Sequence, residues 1–403
     1  MANAHRRLES IDLLRGIVMI IMVLDHTRDF VHGPALYYDP TDLARTSAPI
    51  FMTRWVTHFC APVFVFLAGV SAYLQKMRGR PVGELSRFLL SRGLWLIVVE
   101  IVVLHELVWF NLDFSLIGPL QVIWVLGWSM IALAGLIYLP RPALAAFGIA
   151  VVVAHNLFDR VQVPAWAGPA SPAPSLAAKG WMLLHQTGFL PLGAAATPSV
   201  WLMYPLVPWV GVMALGYVFG ALYEFDRDRR IALLRQTGLL LIAAFVVIRG
   251  FNVYGDPARW STQANVGLTV LSFINTTKYP ASLLYLLMTL GPAILALSLF
   301  EAWQPGAWSG PLMTLGRVPM FFYLLQWPLA HVSGIIANVI AGRSFDYMFL
   351  MPPALFSLPP GHGFRLWVVY VCWACIVLIA YPMCSWFAGV KQRRRDLVWL
   401  SYL

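Results

Sequence analysis

The chain has 403 residues, of which 60% are hydrophobic and only 11% are charged. A soluble globular chain carries about 25% charged residues, so this composition excludes a water-solvated enzyme. It implies one polytopic domain, residues 1–403, solvated by the lipid bilayer. The net charge of +10 gathers at the ends of apolar segments, which assigns it to membrane topology and excludes nucleic acid as the partner.

The opening "MANAHRRLES" leads into a long apolar run with no A-x-A-like site, so no signal peptide is expected. Ten segments match the roughly 20 apolar residues a span needs: 11–31, 51–75, 87–110, 119–139, 142–158, 199–224, 232–251, 280–301, 311–339 and 364–389. The expected fold is all-α, a polytopic integral-membrane helical bundle of about ten transmembrane helices. With the N-terminus in the cytoplasm, the clusters "KMRGR", "DRDRR" and "KQRRR" and most of the 28 Lys and Arg residues fall on the inner side. The expected location is the plasma (inner) membrane of a prokaryote, with both termini cytoplasmic.

In chain order, the first span carries Asp12 and Arg15 near its start, then an apolar stretch, then Asp25, His26, Arg28, Asp29 and His32. Arg54 and His58 begin the second span, and His105, Glu106 and Asn111 end the third. Arg87 and Arg92 lie near the inner end of that third span. The loop 159–198 is Pro-, Ala- and Gly-rich and outside, and "WMLLHQTGFLPL" within it suits a membrane surface. Gly216 and Gly220 form a G-x-x-x-G that suits packing within the chain or, as the alternative, a homodimer contact. Arg249, Asn252, Asp256, Asn275 and Lys278 flank the outer segment 251–279, and Gln326 and His331 lie in the outward half of the ninth span. Arg317 sits at that span's inner end. The four cysteines, Cys60, Cys372, Cys375 and Cys384, follow no zinc-ligand spacing, and no metal site is expected.

Ionisable groups in spans are costly and default to functional candidates. Here they form two layers, an inner basic one and a richer outer one. Arg15 and His26 are eleven residues apart, close to three helical turns, so they share a face about 16 Å apart. A ligand lying along this face would meet a cation at one end and an imidazole at the other. An imidazole with its ordinary pKa near 6.5 accepts protons at physiological pH.

"RRLESIDLLRGIVMIIMVLDHTRDF", "FMTRWVTHFCAPVFVFLAGVSAYL", "YPLVPWVGVMALGYVFGALY", "LSFINTTKYPASLLYLLMTLGP" and "GRVPMFFYLLQWPLAH" resemble segments of the bacterial relatives of heparan-alpha-glucosaminide N-acetyltransferase. The resemblance implies acetyl transfer from cytoplasmic acetyl-CoA to an amino-sugar amine on the far side of the membrane, with a histidine near that side. The arginine-to-histidine spacing of the first span is also similar to that of the acyltransferase-three family, where both residues are essential and acceptors are sugar hydroxyls. His26 is therefore the first catalytic candidate and His32 the second, with Asp29 or Asp25 holding the ring. Arg15, Arg92 and Arg317 would hold the phosphates of acetyl-CoA, the co-substrate. His58, Arg54, Arg249, Asn275 and Lys278 would bind the carbohydrate or small-amine acceptor or polarise the carbonyl oxygen. The rival readings are a transporter of a small anion or sugar, and a non-catalytic lipid-binding protein. The family's animal member implies a homodimer by analogy.

Overall fold

The computed structural model describes residues 9–193, 198–303, 306–351, 361–394 and 396–402. Arg6 and Arg7 of the opening segment and Arg395 of the last basic cluster lie outside these. In chain order the helices are α1 (Glu9–Val31), α2 (Ala48–Thr57), α3 (Cys60–Met77), α4 (Val82–Val98), α5 (His105–Trp109), α6 (Val122–Leu136), α7 (Arg141–Ala154) and α8 (Leu176–His185). They continue with α9 (Val207–Phe219), α10 (Arg227–Phe251), α11 (Val266–Ile274), α12 (Leu283–Ala302), α13 (Gly310–Arg317), α14 (Pro319–Ile340) and α15 (Leu366–Arg393).

Among the described residues, eight helical segments are long and apolar enough to cross a membrane: 48–77, 82–109, 141–158, 207–224, 227–251, 283–302, 319–340 and 366–393. The other two expected spans correspond to α1 and α6, which fall outside these eight. α1 has 23 residues but is rich in charge, and α6 is apolar with only 15. α1 tolerates its charges because it is central: it packs against α2, α3, α12, α13, α14 and α15, and its charged side chains meet protein rather than lipid. The faces of α10 and α15 do the opposite, presenting Leu239, Leu240, Val246 and Val247, and Leu378, Ile379 and Trp386, to the surroundings.

The ninth span departs from its expected continuity. The chain breaks at Val318, where Pro319 has no N–H and disfavours helical backbone in the residue before it. The short α13 thereby turns to cross α1 at two glycines. A Cβ on Gly16 would lie 1.9 Å from the Leu312 carbonyl oxygen, and one on Gly316 would lie 1.9 Å from that of Asp12. The Gly216/Gly220 pair is likewise used inside the chain, against Phe66 and Tyr73 of α3.

The third span contains a π-helical stretch, Val99–Leu104, ahead of α5. Its Glu100 is buried and accepts hydrogen bonds from the backbone N–H groups of Gln121 (2.6 Å) and Trp124 (3.2 Å). It thus caps the N-terminus of α6, which explains how so short a span can end inside the protein.

The loops at the far end of α1 hold a small sheet that the helical pattern did not predict. β1 (Leu116–Leu120) pairs parallel with β3 (Ser199–Leu202), and β2 (Gly188–Pro191) pairs antiparallel with β3. Within the segment expected on a membrane surface, Met182 and His185 of α8 are buried against protein.

Candidate active site

α1 delivers one face to two cavities. The first, about 300 Å³, is lined by Arg15 and Met19 of α1, Ser71 and Gln75 of α3, Arg92 of α4, Tyr323 of α14 and Lys391 of α15. The second, about 530 Å³, is lined by Asp25, His26 and Asp29 of α1, Arg54 of α2, Trp201 of β3, Tyr204, Lys278, Tyr279 and Trp327. Phe64 and Val122 line both. The two cavities therefore adjoin at Phe64 of α3 and Val122 at the capped start of α6, with Arg15 lining one and His26 the other.

In the first cavity, Arg15 donates to the Gly316 carbonyl and the Ser71 hydroxyl, each at 3.2 Å, and pairs with Asp12 at 3.4 Å. The glycine crossing with α13 brings that carbonyl within reach. Arg92 lies over the Tyr402 ring at 5.7 Å. Arg317 does not join them: it is 41% exposed, 3.8 Å from Asp12, and outside the cavity lining. Lys391 takes the third cationic place, although as the first residue of "KQRRR" it reads in sequence only as topology.

His26 is buried between two residues of α14. Its ring stacks on Trp327 with centroids 3.8 Å apart, and its Nδ1 lies 2.8 Å from Gln326 Oε1. The Gln326 amide is itself oriented, because its Nε2 donates to the Tyr323 carbonyl. Gln326 Oε1 can only accept, so Nδ1 of His26 is the donor in this bond, and in the neutral ring the lone pair is on Nε2. The expected His26–Asp pair is thus replaced by a His26–Gln326 pair.

The carboxylates serve the arginines instead. Asp25 accepts from Arg54 Nη1 at 2.5 Å and pairs with Arg28 at 3.0 Å. Asp29 pairs with Arg28 at 2.7 Å and is 48% exposed. Arg28 is buried, and its Nε and Nη1 have no hydrogen-bond partner among the described residues. Lys278 lies 5.2 Å from the Tyr279 ring centroid. Burial raises the Tyr279 phenol, but Lys278 and Arg54 together bring it below its ordinary value. The lining of this cavity thus sets three cations, Arg28, Arg54 and Lys278, against three carboxylates, Asp25, Asp29 and Asp39.

Four expected site residues lie elsewhere. His32 is buried, just past α1, where its backbone bridges to Phe364, and it does not line the cavity. Burial and the Arg28 charge push its pKa down to about 4. His58 is buried, its carbonyl accepts from the Tyr285 hydroxyl, and its ring meets that of Tyr285 edge-on. Arg249 donates to the carbonyls of Phe273, Ala258, Ser272 and Asn275. It clasps α10 to the 258–275 loop rather than facing a ligand. Asn275 donates to the Thr41 carbonyl at 3.1 Å and fastens the same loop. A charge at a span end reads alike in sequence whether it faces a cavity or satisfies backbone carbonyls.

No curated protein matches the chain. The model of the heparan-alpha-glucosaminide N-acetyltransferase catalytic family matches residues 7–252, more than half of the chain and the part that supplies α1 through α10. This chain therefore belongs to that family and is a transmembrane acetyltransferase.

Proposed function

We propose that acetyl-CoA enters from the cytoplasm with its phosphates at Arg15, Arg92 and Lys391. Its pantetheine arm then passes between Phe64 and Val122 and sets the thioester beside His26. The observation that carries this reading is that the two cavities lie side by side along one face of α1 and share Phe64 and Val122 as a common wall. The roughly 16 Å between Arg15 and His26 along the helix suits an extended pantetheine arm.

The acceptor, an amino sugar or sugar hydroxyl, enters the second cavity from the opposite side of the membrane. Trp201 and Trp327 offer flat apolar surfaces to a sugar ring, while Arg28 and Asp29 offer polar groups to its hydroxyls. As the acceptor attacks the thioester carbonyl, His26 Nε2 takes its proton. Lys278 and Arg54 stabilise the negative charge that develops on the carbonyl oxygen. Collapse breaks the carbon–sulfur bond, and His26 returns the proton to the departing thiolate. Asp25 keeps Arg54 in place, a positioning role.

This reading puts both termini and the basic clusters in the cytoplasm, and the second cavity opens outward. A homodimer, if formed, would use a face other than Gly216/Gly220, which α3 already covers. The test is transfer of label from radiolabelled acetyl-CoA to candidate amino sugars by detergent-purified protein. Label in the acceptor that disappears in His26→Ala supports the assignment, and equal transfer by both proteins overturns it.

A further inference from the structure

The outer end of α7 carries a group of side chains that acyl transfer does not use. His155 begins the turn after α7, Asp159 follows one turn later, and His185 is the last residue of α8. Both histidines are buried, at 2% and 3% exposure. His155 Nδ1 lies 3.3 Å from His185 Nε2, which lies 3.9 Å from Asp159 Oδ1. One donor atom from each of the three residues lies within 4.8 Å of the others.

Nitrogen and oxygen ligands at about 2.0–2.1 Å from a tetrahedral ion stand roughly 3.3–3.4 Å apart. The His155–His185 separation already has that value, whereas the Asp159 oxygen, 3.9 Å from His185 Nε2, would have to move inward on binding. Asp159 is divided in its contacts: Oδ2 accepts from Asn156 at 2.8 Å, whereas Oδ1 is buried with no hydrogen-bond partner among the described residues. His185 Nε2 also lies 2.9 Å from the His155 carbonyl, so binding would displace one proton from that nitrogen.

We propose that His155, Asp159 and His185 form a binding site for one divalent zinc-class cation, which ties α7 to the loop helix α8. Two imidazoles and a carboxylate suit borderline ions such as Zn²⁺ and Co²⁺ better than Mg²⁺ or Ca²⁺, which prefer all-oxygen sites. The site has a structural consequence. His185 leads directly into β2 and β3, and Trp201, Met203 and Tyr204 of that segment line the His26 cavity. On the other side, Asn156 accepts from the Leu283 N–H at the start of α12. A bound cation would therefore fix one wall of the acceptor cavity from a distance.

The test uses full-length protein in detergent, purified without a polyhistidine tag, stripped with chelator and titrated with Co²⁺ and then Zn²⁺. The expected result is one equivalent of Co²⁺ per chain, a visible absorption band characteristic of low coordination number, and its displacement by Zn²⁺. Zinc-edge X-ray absorption should show two imidazole ligands. His185→Gln and Asp159→Asn should each weaken binding by tenfold or more. The proposal is overturned if folded wild-type protein takes up no stoichiometric metal, if absorption shows an oxygen-only shell, or if both variants bind as tightly as wild type.

Discussion

The chemistry proposed for His26 depends on which of its nitrogens carries the proton, and a single amide decides that. Gln326 is fixed by its bond to the Tyr323 carbonyl and presents only an acceptor to Nδ1. Replacing His26 with alanine should lower acetyl transfer by about 10²–10⁴-fold, the usual worth of a general base. Protection against unfolding by acetyl-CoA should persist, which a thermal shift in detergent measures. Gln326→Leu removes the positioning contact and should lower kcat with little change in KM for acetyl-CoA. Gln326→Glu, which still accepts from Nδ1, should recover part of the loss. His32 is a different case. Its pKa falls from about 6.5 in an unfolded chain to about 4 in the fold, so the unfolded state binds more protons between those values. Its contribution to stability is complete above pH 6.5 and is lost as pH falls towards 4. His32→Gln should flatten the decline in melting temperature over that window, and an unchanged slope would refute the assignment. That Arg15 and His26 share one face of α1 was legible in the sequence, because one helix fixes that relation. Gln326 was visible only as a polar residue in an apolar span. Its partner lies 300 positions away, and no periodicity reports a contact between helices. Arg249 was misread for the same reason, since its four carbonyl partners come from a folded loop.

Two elements owe their placement to single residues, and both can be tested by stability. α1 reaches the centre of the bundle because Gly16 and Gly316 let it cross α13 at backbone contact. A methyl group at Gly16 meets a carbonyl rather than a flexible side chain, so Gly16→Ala should cost about 1–3 kcal/mol or more, as overpacking does. The same change should also disturb Arg15, whose carbonyl partner belongs to Gly316. A matched control is Gly135→Ala, where an added Cβ meets nothing within 4 Å and the melting temperature should hold or rise. The second element is α6, whose start depends on Glu100. Glu100→Ala strands the N–H groups of Gln121 and Trp124, at about 1–3 kcal/mol each, and should lower the melting temperature clearly. The apolar run of α6 marks it as a span in sequence, but the run does not reveal that its first turn is capped from the third span. Nor does a run of apolar residues distinguish a straight helix from one with a π-helical stretch, which is why Glu100 escaped notice. The ninth span was readable as one continuous run, 311–339, yet its break at Val318 follows from Pro319 within it.

At the scale of the whole molecule, the proposed reaction needs the wall shared by the two cavities to admit the donor's arm without letting solutes through. Phe64 and Val122 line both cavities, and Phe64 is the bulkier of the two. Enlarging one of these walls separates donor binding from donor delivery in a way that changes at the cationic mouth cannot. Arg15→Ala or Arg92→Ala should weaken acetyl-CoA binding, seen as a smaller thermal shift at fixed ligand concentration. Val122→Phe should behave differently. The phosphates would still reach Arg15, Arg92 and Lys391, so CoA should still protect the protein from unfolding, while the thioester would stop short of His26 and transfer should fall steeply. Desulfo or shortened donors that end before this wall should bind wild type and Val122→Phe alike. If Val122→Phe transfers acetyl groups at the wild-type rate, the donor does not pass between these two residues. If Val122→Phe instead loses CoA binding along with activity while remaining folded, the arm must enter before the phosphates dock, and the order of binding proposed here is reversed.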